Sequence, residues 1–150
     1  KISPKINIRR KMPAKDIYHD AVKNALIKDG WTIIADPYTI EYEGENLYTD
    51  LLVERTLLAQ QKGKRIVVEI KSFINPSPMN DFQKALGQYL LYRDFLEFSQ
   101  KDYEIYLAIK NGVFNTFFQR TSIQAVVKRH QMKLLVFNDT KEEISSWIKS

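Results

Sequence analysis

Ile17, Ala21, Val22, Ala25 and Leu26 recur at helical spacing and predict a helix over 14–29. Gly30 fits the left-handed residue that ends it. Strands are predicted at 31–34, near 38–43, over 47–58 and over 64–73, with a polar turn at 59–63. Asn75-Pro76-Ser77-Pro78 then breaks the chain. Ser77 can cap the next helix and Pro78 suits its first turn. That helix is expected to reach about residue 98, with Phe82, Leu86, Tyr89, Leu90 and Leu96 on its core face. A strand at 103–109, a mostly helical stretch at 113–130 and a strand at 133–137 follow. Thr140 and Glu143 have capping-box spacing ahead of Ile144, Trp147 and Ile148, so the chain is expected to finish in a helix. The sum is a mixed α/β domain whose sheet is covered by helices.

Composition narrows this further. A chain of 150 residues, 44% hydrophobic and 27% charged, can bury the core of one ordinary soluble domain. With no cysteine, it has no disulfides, thiolate zinc sites, iron–sulfur clusters or cysteine nucleophiles. Its apolar runs are too short to span a bilayer, and no signal-peptide core follows the basic start; a cytoplasmic, membrane-free protein is expected. The net charge of +5 resides in residues 1–11, which hold five basic side chains and no acid. From Met12 onward, 18 basic residues balance 18 acidic ones. Residues 1–11 are therefore read as a basic upstream extension without a fold role, and 12–150 as a single domain. The excess charge is then weak evidence for nucleic acid.

The informative chemistry lies on two neighbouring strands. Residues i and i+2 of a strand share a face, so Glu69 and Lys71 project together beside Val67, opposite Ile66, Val68 and Ile70. Asp50 stands in the preceding strand, where aspartate is disfavoured. A hairpin with its midpoint near Gln61 would set Asp50 across from about Lys71–Phe73. Two carboxylates and one ammonium would then meet at one end. Asp50 and Glu69 could hold a hard cation, Mg²⁺ or Mn²⁺, beside a phosphate. Lys71 could orient water or stabilise developing charge. The plainer alternative is a Glu69–Lys71 ion pair on a solvated strand with Asp50 as a chance neighbour. There is no phosphate-cradling glycine loop, HExxH motif or nucleophile elbow to offer another catalytic set.

A lone Asp followed by Glu-x-Lys on the next strand, within α-β-β-β-α-β order, resembles the PD-(D/E)XK nuclease superfamily. That resemblance implies a restriction-endonuclease-like, three-layer α/β/α fold with a central mixed sheet. Thr49 stands where the motif's proline is expected. Gln88 and Tyr92 on the following helix are similar to the Gln-x-x-x-Tyr signature of RecB-like branches. Gln88 would then bind a phosphate or water and Tyr92 the DNA backbone; alternatively Gln88 is a surface residue and Tyr92 belongs to the core. Members often carry an acid on the first helix. Asp16, His19 and Asp20 are the candidates, with His19 nearest the position; a histidine there could ligate metal or contact phosphate, and a surface histidine is the favoured alternative. His130 has no such context.

A closer resemblance covers nearly the whole chain from Met12. Met12-Pro13-Ala14-Lys15-Asp16, Asp29-Gly30-Trp31, Val67 to Phe73, Ala85 to Tyr89 and Thr116 to Arg120 are similar to the XisH family, the excision-controlling factors of the fdxN element of cyanobacteria. This implies a part in programmed removal of a DNA element, with DNA and an XisI-like protein as partners and strand exchange left to a separate recombinase. Two functions stay open. One is a metal-dependent endonuclease using Asp50, Glu69, Lys71 and, as accessory, Gln88. The other is a non-catalytic factor that binds DNA or a partner protein, with the aromatics of 114–118 as a candidate surface. Cutting both strands would need two sites, which a homodimer would provide.

Overall fold

The computed structural model describes residues 15–57 and 62–149. The basic extension, the first residue expected of the leading helix and most of the turn at 59–63 lie outside these residues. Helix α1 (His19–Lys28) precedes five strands: β1 (Thr32–Ala35), β2 (Tyr38–Tyr42), β3 (Glu45–Thr49), β4 (Leu51–Leu57) and β5 (Lys62–Ile70). Helix α2 (Pro78–Phe98) leads to β6 (Glu104–Lys110). Then come α3 (Asn111–Asn115), a 3₁₀ turn (Phe117–Gln119), α4 (Thr121–Arg129), β7 (Lys133–Asn138) and β8 (Glu143–Ile148). The fold is mixed α/β, with four α-helices and a central six-stranded mixed sheet among the described residues.

The sheet order is β1-β4-β5-β6-β7-β8. Strands β5, β6 and β7 run parallel, because helices carry the chain across between them. The outer pairs are antiparallel. Parallel strands covered on both faces read as continuous apolar runs, and Ile66–Ile70, Ile105–Ile109 and Leu134–Phe137 are buried throughout. Val22 and Leu26 of α1 pack on one face with Ile66, Val68, Ile70 and Phe137. Phe82, Tyr89 and Leu96 of α2, with Phe117, Phe118 and Ile123, cover the other face around Val67, Leu107 and Val136. Tyr89 ties this layer to the sheet: its hydroxyl donates to the Ile105 carbonyl (3.1 Å) and accepts from the Lys133 N–H (2.9 Å).

The local signals hold in several places. Gly30 has φ +92° beyond α1. Ser77 caps α2 by accepting from the Asn80 N–H (3.2 Å), with Pro78 in the first turn. Three expectations are corrected. Helix α1 begins at His19, so Ile17 of the predicted stripe is exposed. The strand expected over 47–58 is two strands in two sheets, since β3 pairs only with β2 and the break falls at Asp50. The last element is not a helix but strand β8, paired antiparallel with β7.

Candidate functional site

Carboxyl ends of parallel strands are where ligands bind in α/β sheets. Here that end of β5 opens into a cleft of about 280 Å³. It is lined by Asp16, Tyr48, Asp50, Glu69, Ile70, Lys71, Lys84, Gln88 and Tyr92. The β4–β5 register pairs Leu51 with Val68 and Leu52 with Val67. Carried one step on, it sets Asp50 level with Glu69, two residues short of the expected Lys71–Phe73. The hairpin is therefore shorter than a Gln61 midpoint gives, and the two carboxyls lie closer than the sequence suggests.

Asp50 stands between β3 and β4 rather than inside a strand, which resolves the anomaly of its residue type. Its Oδ2 accepts from the Ile70 N–H at 2.7 Å. Glu69 is only 6% exposed. Its Oε2 lies 3.6 Å from Lys71 Nζ, and its Oε1 is buried without a hydrogen-bond partner. Burial raises the Glu69 carboxyl well above the usual range; the Asp50 charge raises it further and Lys71 opposes both. Burial also raises Asp50, against the Ile70 N–H and His19. Lys71 follows the end of β5, and its N–H donates to the Ala108 carbonyl of β6 (3.1 Å).

Gln88 faces this pair from α2, with its Oε1 buried and unpartnered. Tyr92 is buried and its hydroxyl donates to the Tyr48 carbonyl (3.2 Å). It is thus both a core residue and part of the cleft wall. Burial, then the Glu69 and Asp50 charges, push its phenol up. Lys84, missed in the sequence, reaches the cleft one turn before Gln88; Lys84, Gln88 and Tyr92 share an i, i+4, i+8 stripe that could have revealed it.

The expectation that His19 is a surface histidine is overturned: it is 3% exposed. Its Nε2 is 2.7 Å from Asp36 Oδ1, and its Nδ1 is 3.7 Å from Asp50 Oδ1. Lys23 Nζ donates to the other Asp36 oxygen at 2.8 Å. Burial acts to raise Asp36, but Lys23 and His19 together outweigh it and hold the carboxyl below its ordinary range. Asp36 lies in the β1–β2 turn, where no sequence spacing pointed to His19. Asp20 is not brought to the cleft; it is exposed and pairs with Lys15 at 3.8 Å. Asp16 takes that side of the cleft instead.

Residues 12–145 match the family model described as XisH protein. The chain belongs to the XisH family. A solved XisH family protein from Nostoc punctiforme is 38% identical, with a TM-score of 0.81, over 89% of this chain and all of that one. An fdxN element excision controlling factor protein from Anabaena variabilis is also 38% identical, with a TM-score of 0.81, over 90% of this chain and all of that one. No curated protein matches. The XisH match begins at Met12, so it includes every residue of the cleft.

The donor set suits a hard cation: two carboxyls with raised proton affinity and an orphaned Glu69 oxygen leave negative charge and a lone pair unanswered. Among the described residues, no group of three or more His, Cys, Asp or Glu is arranged to hold a metal. Any such ion would therefore complete its shell with water or substrate oxygens. No described helix is long and apolar enough to cross a membrane.

Proposed function

We propose that this XisH-family chain carries a PD-(D/E)XK-type phosphodiesterase site on a restriction-endonuclease-like scaffold, and that it acts on DNA in controlled removal of a genetic element. The observation that supports it best is the meeting of Asp50, Glu69 and Lys71 in one cleft, with a buried Glu69 oxygen left without a partner. Asp50 and Glu69 would hold Mg²⁺ or Mn²⁺, which supplies charge to polarise a phosphoryl oxygen and acidify water. Lys71, 3.6 Å from Glu69, places an ammonium where charge develops on the phosphorus substituents. Gln88 offers its amide to a phosphate oxygen or the attacking water. Tyr92 holds Tyr48, and through it the start of the Asp50 turn.

Titration calorimetry with Mn²⁺ and Mg²⁺, with DNA present, tests the site. Saturable binding in the wild type that Asp50→Asn and Glu69→Gln both lose is the expected result. Cleavage of duplex, nicked or branched DNA that Lys71→Ala retains would sink the catalytic reading.

A second reading is supported by the lack, among the described residues, of a third acidic or imidazole group arranged with Asp50 and Glu69 to hold a metal. In it the cleft binds DNA without cutting, and the chain, with an XisI-like partner, licenses a recombinase. Excision control that persists in all three variants favours this reading.

A further inference from the structure

The balanced charge of the domain conceals a segregation. Between Glu104 and Asp139 the chain has no acidic residue. Two cations of that stretch are neutralised by its flanks: Lys110 lies 3.9 Å from Asp139 and Lys133 lies 3.3 Å from Glu104. Arg120, Lys128 and Arg129 are exposed and form no ion pair among the described residues. Ile123 and Val127 bury the inner side of α4. Arg120, Gln124 and Lys128 are spaced i, i+4, i+8, so they share a stripe about 12 Å long, with Arg129 beside its end.

Two ring contacts link the start of the stripe to the segment that leaves the cleft. The Arg120 guanidinium stacks over Phe117 at 4.8 Å, and the Phe117 ring is 5.9 Å from that of Phe73, two residues beyond Lys71. We propose that the outer face of α4 is a track for the phosphate backbone of duplex DNA, leading into the cleft. The proposal rests on the phosphodiesterase reading for the identity of the polyanion. Duplex DNA carries one charge per about 1.7 Å of axis, so a 12 Å cationic row runs past several phosphates. The row also explains how a domain with no net charge of its own can hold DNA: its acids lie elsewhere.

The test is fluorescence anisotropy of a labelled 20-base-pair duplex in EDTA, between 50 and 200 mM salt. The chelator removes any dependence on a metal. The Arg120→Gln/Lys128→Gln/Arg129→Gln variant is compared with the wild type and with Lys101→Gln/Lys141→Gln, a control at exposed cations outside the row. Surface changes of this kind leave the fold intact, which circular dichroism checks. The triple variant should bind at least tenfold more weakly at 100 mM salt. Its salt slope should fall by about 0.9 for each phosphate it no longer neutralises. The control should stay within twofold. Failure of the wild type to bind, an equal loss in the control, or an unchanged triple variant would each overturn the track. Competition by poly-glutamate as strong as by DNA would reassign the face to an acidic protein. Binding by Asp50→Asn/Glu69→Gln as tight as wild type, without cleavage by the wild type, would remove the nuclease reading and leave the track standing.

Discussion

The two ends of the parallel strands each carry a cluster of charge, and they are built to opposite specifications. At the amino end, Glu104 opens β6 with Lys64 3.0 Å from one oxygen and Lys133 3.3 Å from the other. Burial would raise its carboxyl, but the two lysines outweigh that and hold it below the ordinary range. A cavity of about 440 Å³ lies there, and the Glu104 carboxylate on its wall is matched by a lysine at each oxygen. At the carboxyl end, Glu69 is more deeply buried and has a single lysine at 3.6 Å. The facing Asp50 adds repulsion, and the carboxyl rises. In the first cluster one carboxylate is answered by two lysines, which ties β5, β6 and β7 together. The second is left short of positive charge, which is what the proposed cation and phosphate would supply.

The comparison breaks most sharply at the lysines. Lys71→Ala should lower DNA cleavage at least about 100-fold with the fold retained, the usual scale for one lost transition-state donor. Lys133→Ala should leave cleavage within twofold. A nuclease assay on both variants decides it.

Next in size is the buried chain behind Asp50. Asp36→Asn removes the carboxylate that receives His19 and Lys23, and should cost about 1.5–3 kcal/mol in urea unfolding. An unchanged midpoint would show that His19 is held by packing alone.

Glu69→Gln should act the other way. A carboxyl whose folded proton affinity exceeds its unfolded one stabilises below the ordinary glutamate range and loses that contribution as pH rises through its folded value. Metal-free wild type should therefore lose stability from mildly acidic to alkaline pH, and Glu69→Gln should flatten the loss and melt higher at pH 8. In a chain of this size each 1 kcal/mol moves Tm by about 2–4 °C. Added Mn²⁺ should raise the Tm of the wild type and not that of the variant.

Glu104→Gln should give the smallest effect, a loss of at most about 1 kcal/mol for partly exposed ion pairs. Because its folded carboxyl is lowered, that contribution is present at neutral pH and vanishes in acid, the opposite sign to Glu69.

Asp50, Glu69 and Lys71 were legible because charged residues in apolar strands are chemically out of place, and spacing alone put them at one end of a hairpin. His19 and Asp36 were not, since their meeting depends on how the β1–β2 turn folds back over α1. Strand β8 misled for a definite reason. A register shift between Val136 and Phe137 lets Ile144 and Trp147, three residues apart, pack into the same core face. A bulged strand thereby imitates the helical period, and Thr140 with Glu143 completed the disguise. The acid-free stretch around α4 was visible as letters, but only the positions of Ile123 and Val127 show which way its cations point.

Asp50 has a mechanical side as well. It alone separates Thr49, the last residue of β3, from Leu51, the first of β4. The chain crosses from the two-stranded sheet to the six-stranded one in a single step, and one residue spans at most about 3.6 Å. That leaves no slack. The β2–β3 hairpin therefore ends on the carboxylate itself: a pull on its far end, at Glu43 and Gly44, reaches Asp50 through a strand that the Tyr42 ring contacts with Phe95 and Phe98 and the Tyr92–Tyr48 bond hold to α2, with the hydrogen bond to Ile70 as the last restraint.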